Sequence, residues 1–212
     1  MRHRFFSAIN ILGLAISMSM GMGLIMLVAD QLSYDRYNTK NNRIYRVITT
    51  AVDKEGKPTD QWNSASCMTL RDELLNNYTG IEQVVRLKRG FGNGWIEFEN
   101  QDVNIPVAGY YADPEIFDLF EYELQYGDAA TALKEPYSVV LTRKAADKLF
   151  KEQNPIGNTL KVGDAGTFTV TGVLSETNRK SHIVFEALAS LSTVKSSGGE
   201  AADVLDNWTN FW

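Results

Sequence analysis

Residues 5–29, FFSAINILGLAISMSMGMGLIMLVA, are 25 consecutive positions without a charge, and only Ser7, Asn10, Ser17 and Ser19 among them are polar. A helix rising about 1.5 Å per residue reaches roughly 37 Å over that run, enough to cross a hydrocarbon core of about 30 Å with some tilt. A cleaved signal peptide would have an apolar stretch of only about 7–15 residues ending at small residues. Leu27-Val28-Ala29-Asp30 offers no such site. The pattern therefore predicts a retained membrane span, with residues 1–32 forming a short tip and the helix. Arg2, His3 and Arg4 precede the run while Asp30 and Asp35 follow it. By the positive-inside rule the amino terminus is expected in the cytoplasm and the rest of the chain across the membrane.

One face of this helix is small. Gly13, Ser17 and Gly21 recur every four residues, and Ala15, Ser19 and Gly23 form a parallel row. In lipid such strips let a second helix approach closely, because packing rather than hydrophobicity drives association there. Gly13, Ser17 and Gly21 are the candidate helix-packing residues. Met18, Met20 and Met22 suggest a copper site by composition, but residues two apart on a helix point away from each other and adaptable apolar packing explains them.

Behind the span the pattern becomes hydrophilic and changes period. A polar connector leads to a β-rich run at 44–52 and a turn at 54–58. Cys67, Leu70, Leu74 and Tyr78 share one helical face, with Ser64 or Ser66 as cap and Gly80 as stop. β-prone segments follow at 82–89, 95–100 and 103–112, and Gly90, Gly92 and Gly94 predict a hairpin between the first two. Asp113-Pro114 reads as the start of a short helix, Asp128 as the start of another ending before Pro136, and 138–142 as a strand. Thr142 is placed to cap the helix RKAADKLF, Asn154–Gly157 to turn, and 167–174 to form a half-buried strand with Phe168, Val170 and Leu174 on one side. The mixture specifies an α+β body over 33–212 in two lobes, divided near residue 112.

Charge sharpens this division. Residues 1–32 hold only Arg2, Arg4 and Asp30, which leaves 19 basic and 25 acidic residues on 33–212. An acidic body without a basic stripe is unsuited to nucleic acid. The single Cys67 forms no internal disulfide and lies on the buried stripe without a histidine near it in sequence, so it reads as a core residue. Glycosylation triplets at Asn77 and Asn207 carry little weight. No phosphate-binding loop, zinc motif or nucleophile elbow is present, and His3 and His182 stand at opposite ends of the chain. Neither a metal nor a cofactor is expected. Ser192 and Lys195 match S-x-x-K, yet the companion motifs of acyl-transfer enzymes are missing. Glu97 and Glu99 read as a solvated strand edge, so no catalytic residue is expected.

Several segments taken in order, INILGLAIS, DQLSYDRY, NRIYRV, DPEIFDLFEYELQYGD, YSVVLTRKAADKLF, NPIGNTL, FTVTGVL and SHIVFEALAS, resemble the amino-terminal part of ABC transporter permeases with a MacB-like periplasmic core domain, the MacB/FtsX class, in its Bacteroidetes style. The resemblance covers nearly the whole chain. It implies a bacterial inner-membrane protein with one first helix and a two-lobed periplasmic domain. The porter-like lobe would take about 40–112 and 182–212, and the inserted lobe about 113–181. It further implies dimerisation, as a homodimer or heterodimer of permeases, and a cytoplasmic ABC ATPase partner whose hydrolysis moves the periplasmic domain. Such permeases carry a basic amphipathic segment before the first span and further spans after the domain, and the chain is expected to be an amino-terminal piece of one. The rival expectation is a stand-alone, single-pass anchored periplasmic binding or sensing module.

Overall fold

The computed structural model describes residues 2–91, 95–98, 104–151, 153–176 and 179–196. These fall into two units, one of Met1–Asn42 with Asn178–Ile183, the other of Arg43–Thr177 with Val184–Trp212.

In the first unit, helix α1 runs from Arg2 to Gln31. It overshoots the uncharged run at both ends, taking in Arg4 and Asp30. Leu32 N–H still donates to Val28 O at 2.9 Å and Ser33 N–H to Asp30 O at 3.0 Å before the chain turns away.

The second unit opens with an antiparallel pair, β1 (Thr49–Val52) and β2 (Pro58–Asn63). The Asp53 side chain organises their turn by accepting from the Glu55 and Lys57 amides at 2.9 and 2.8 Å. The strand expected from residue 44 begins only at Thr49, since the register ends where Thr49 faces Asn63. Helix α2 (Leu70–Asn77) starts later than its apolar spacing predicts. Cys67 and Met68 are buried ahead of it, and neither Ser64 nor Ser66 caps it. A helix stripe and a buried approach to a helix look alike in sequence.

Strands β3 (Leu87–Phe91), β4 (Trp95–Phe98), β5 (Asn104–Pro106) and β6 (Gly109–Ala112) follow. The hairpin expected between β3 and β4 is not formed: β3 pairs with β6, while β4 pairs with β5 and with a later strand. Glycines serve a tight turn and a departure from the sheet equally well, so composition alone could not separate the two. Part of the glycine-rich connection, 92–94, lies outside the described residues.

The remaining elements are α3 (Ile116–Leu119), β7 (Leu124–Tyr126), β8 (Ser138–Leu141), α4 (Arg143–Phe150), β9 (Thr159–Val162), β10 (Gly166–Leu174), β11 (Ala187–Ser190) and α5 (Ser192–Ser196). Thr142 caps α4 as expected, its Oγ accepting from the Ala145 amide at 3.3 Å. The helix expected at Asp128 is instead a series of turns, in which Asp128 O accepts from the Ala132 amide at 2.8 Å and buries Ala132 and Leu133.

Among the described residues one sheet of nine strands runs β3-β6-β11-β8-β10-β9-β4-β5, with β7 also paired to β10. Most neighbours are antiparallel, but β6 with β11 and β8 with β10 are parallel. The alternation expected along β10 holds at Phe168 and Val170 and then breaks, because a register shift between Val170 and Gly172 leaves Gly172, Val173 and Leu174 all buried. The core on this sheet joins Phe91, Val107, Ala187 and Ala189 to Val139, Leu141, Leu149, Phe168 and Val170. Phe91 makes edge-on ring contacts with Phe168 at 5.0 Å and Tyr111 at 5.4 Å.

Candidate functional site

The small strip of α1 is bare. A Cβ built on Gly13, Gly21 or Gly23 meets nothing within 4 Å. Ser17 Oγ donates to Gly13 O at 2.9 Å and Ser19 Oγ to Ala15 O at 2.8 Å, so neither hydroxyl brings an unsatisfied donor into lipid. Phe5, Ile16, Leu24 and Ile25 are more than half exposed along the same helix. An apolar helix with so little cover within its own chain requires lipid or another helix around it.

The end of α1 is joined to a segment about 150 residues later in the chain. Asp30, in the last turn of the helix, forms an ion pair with Lys180. The Asp35 amide donates to Lys180 O at 2.9 Å, and the Asp35 carboxylate meets His182 Nδ1 at 2.6 Å. Burial alone would raise the Asp35 pKa. Hydrogen bonds from Ser181 and His182, together with the His182 charge, outweigh that and hold the carboxyl below its ordinary range. His182 also lies against Tyr34, with ring centroids 4.7 Å apart, and Arg179 sits over the Tyr37 ring at 5.0 Å. Residues 33–42 and 179–183 thus form a foot around the helix end. Sequence reading passed over it, although DQLSYDRY and SHIVFEALAS, two of the segments quoted above, supply Asp30, Asp35 and His182.

The body has its own charged centre. Arg86 donates through Nε to Asp113 Oδ2 and through Nη2 to Asp113 Oδ1, both at 2.8 Å, and through Nη1 to Met68 O at 3.0 Å. The Arg86 amide donates to the same carboxylate at 3.0 Å. Burial would lower the Arg86 pKa, but the Asp113 hydrogen bonds and charge raise it above the ordinary guanidinium range. Asp113 is therefore no helix cap, contrary to the pattern at Asp113-Pro114; α3 begins at Ile116 and the side chain at its cap position, Glu115, makes no capping bond. Glu115 Oε1 instead accepts from Arg71 Nη2 at 2.9 Å. This cluster fastens α2, the start of β3 and the end of β6.

The residues that carry the S-x-x-K pattern fall in α5. Ser192 Oγ is bonded to Ser190 Oγ at 2.7 Å and donates to Lys134 O at 3.2 Å. Cys67 is a buried free thiol. Among the described residues no cluster of three or more His, Cys, Asp or Glu is placed to hold a metal ion.

The sequence pattern of the MacB-like periplasmic core domain matches residues 7–207. No curated protein sequence matches the chain. Among solved structures, a domain ascribed to a permease protein from Porphyromonas gingivalis is similar at a TM-score of 0.62 and 20% identity, over 77% of this chain and 68% of that one. The periplasmic region of MacB from Actinobacillus actinomycetemcomitans is similar at 0.52 and 17%, over 77% and 70%. The extracellular domain of the noncanonical ABC-type transporter YknZ from Gram-positive bacteria is similar at 0.53 and 20%, over 77% and 79%.

Proposed function

The chain belongs to the MacB-like periplasmic core domain family, found in ABC-type permeases, and from that premise we propose that it is a mechanical coupler: the first span and the extracytoplasmic body of a permease subunit. In this reading the amino terminus is cytoplasmic and the body periplasmic at the bacterial inner membrane. Hydrolysis by a separate cytoplasmic ATPase moves the body through α1, and no residue of this chain performs covalent chemistry. Two permease subunits pack through Gly13, Ser17 and Gly21.

The observation that carries the reading is that the family match begins inside α1 and runs to residue 207, so helix and body are one inherited unit. The foot supports it: the chain enters the body after residue 42 and returns at 178–183 to bind the same helix end. A displacement of α1 therefore acts on the body through two chain connections rather than one tether. The two-lobe division, with a porter-like lobe of about 40–112 and 182–212 and an inserted lobe of about 113–181, belongs to the same proposal. The strand pairings of β8 with β11 and of β4 with β9 are where such lobes would move together.

Replacing both Gly13 and Gly21 with Leu in the membrane-embedded protein tests the packing face. Leucine side chains there hold a second helix away from the backbone, so the yield of inter-subunit disulfide crosslinks through cysteines introduced along α1 is expected to fall roughly fivefold or more. An unchanged yield removes the packing role. Co-purification of an ABC ATPase with the membrane-embedded protein checks the partner.

A further inference from the structure

Charge is sharply segregated between the two units. Six of the 21 basic residues, Arg2, Arg4, Arg36, Lys40, Arg179 and Lys180, belong to the first unit, with only Asp30 and Asp35 as acids. The other 15 basic and 24 acidic residues give the body a net charge of -9.

The foot holds four of the first unit's cations at one end of α1. Arg36 and Lys40 follow the helix directly; Arg179 and Lys180 arrive from the return segment and are drawn in by Tyr37 and Asp30. Counting Asp30 and Asp35, the helix exit retains a net charge of about +2.

The helix length fixes where this charge lies. Thirty residues of α1 span roughly 45 Å, the thickness of a bilayer with both headgroup layers, about 40–45 Å. The last turn of α1 then falls in a headgroup layer, and the foot lies within a Debye length, about 8–10 Å, of its phosphates. Tyr34 adds an amphipathic ring that favours this depth.

We propose that the foot, residues 33–42 with 179–183, is a collar that binds the anionic phosphates of the lipid leaflet at the exit of α1. The acidic body carries the same sign of charge as that surface, so the collar rather than the body is electrostatically matched to it. Lipid phosphates then hold the return segment at the helix end together with Asp30 and Asp35. The inference rests on α1 spanning the bilayer and deepens the coupling proposal by giving the coupler a fixed footing.

The test reconstitutes the full chain into bilayers of phosphatidylcholine with spin-labelled phosphatidylglycerol or spin-labelled phosphatidylcholine, and compares their association with the protein by electron spin resonance. Phosphatidylglycerol is expected to be preferred, and the variant R36Q/K40Q/R179Q should reduce that preference about two- to fivefold, as loss of surface cations does. The variant K134Q/K144Q/K151Q, with the same charge change on the body, should leave it unaltered. No preference in the native chain, an equal loss in both variants, or a preference for a soluble acidic protein over lipid overturns the collar. Labelling of Asn42→Cys in a Cys67→Ser background by a membrane-impermeant maleimide reports the side independently. A retained lipid preference with cytoplasmic labelling supports the collar and refutes the orientation proposed above.

Discussion

The glycines of the sheet and those of the membrane helix occupy opposite environments. A Cβ on Gly109 would lie 2.4 Å from Ala187 O and 2.9 Å from the Phe91 ring, and one on Gly127, whose φ is +94°, would lie 2.3 Å from Thr171 O. At Gly13 and Gly21 the same atom meets nothing within 4 Å. At these two positions smallness is used up by the chain's own packing: Gly109 lets β6 lie against β11, and Gly127 turns the chain beside the β10 bulge. In α1, smallness is left over. Glycine is therefore demanded by the chain's own packing at Gly109 and Gly127, and by no contact among the described residues at Gly13 and Gly21.

The comparison can be broken most forcefully through the body's charged centre. Asp113→Ala leaves Arg86 buried without its carboxylate, and loss of one partner from such a pair costs about 3–5 kcal/mol. Thermal unfolding of the detergent-solubilised protein should show a large drop in Tm, and a shift of only a degree or so would mean that the pair is solvated. Gly109→Ala comes next, at about 1–3 kcal/mol, because the added methyl meets backbone that cannot yield without opening the β6–β11 ladder. The leucine variants at Gly13 and Gly21 sharpen the contrast: they are expected to weaken association while leaving the body's Tm unchanged, and a lowered Tm would show that α1 is packed within its own chain.

The smallest effect lies at the foot. The Asp35 carboxyl is held below its ordinary pKa, so its bonds to Ser181 and His182 stabilise the foot above the free-carboxyl value of about 3.9 and are lost as the pH falls through the lower folded value. A spin-label distance between positions 33 and 183 is expected to lengthen on acidification below about pH 4, and no change down to acid unfolding would show that the backbone bond and Lys180 suffice.

Much of the architecture was readable from local pattern. The span, the capped helix after Thr142, the turn at Asn154 and the run at 167–174 each depend on neighbours close in sequence, where periodicity and capping chemistry act. The expectations that failed share another cause. Asp113 has the side chain of a cap but lies beside Arg86, 27 residues away, and a bidentate buried partner outcompetes the amides of a four-residue helix. The hairpin after β3 failed because Phe91 finds Phe168 and Tyr111 in the core, a preference encoded far from the glycines.

The amino-acid sequence by itself determined that this protein has an apolar helix long enough to cross a membrane with a small-residue face, an acidic α+β body and the ordered segments of a MacB-like core domain, since length, charge and period are local sums. Only the tertiary structure decided that β3 pairs with β6, that Arg86 neutralises Asp113, and that Asp30 and Asp35 meet Lys180 and His182 in a foot. Those choices depend on loop closure over tens to well over a hundred residues, and the energy of each contact exists only once the sheet or the returning chain has brought its partners together.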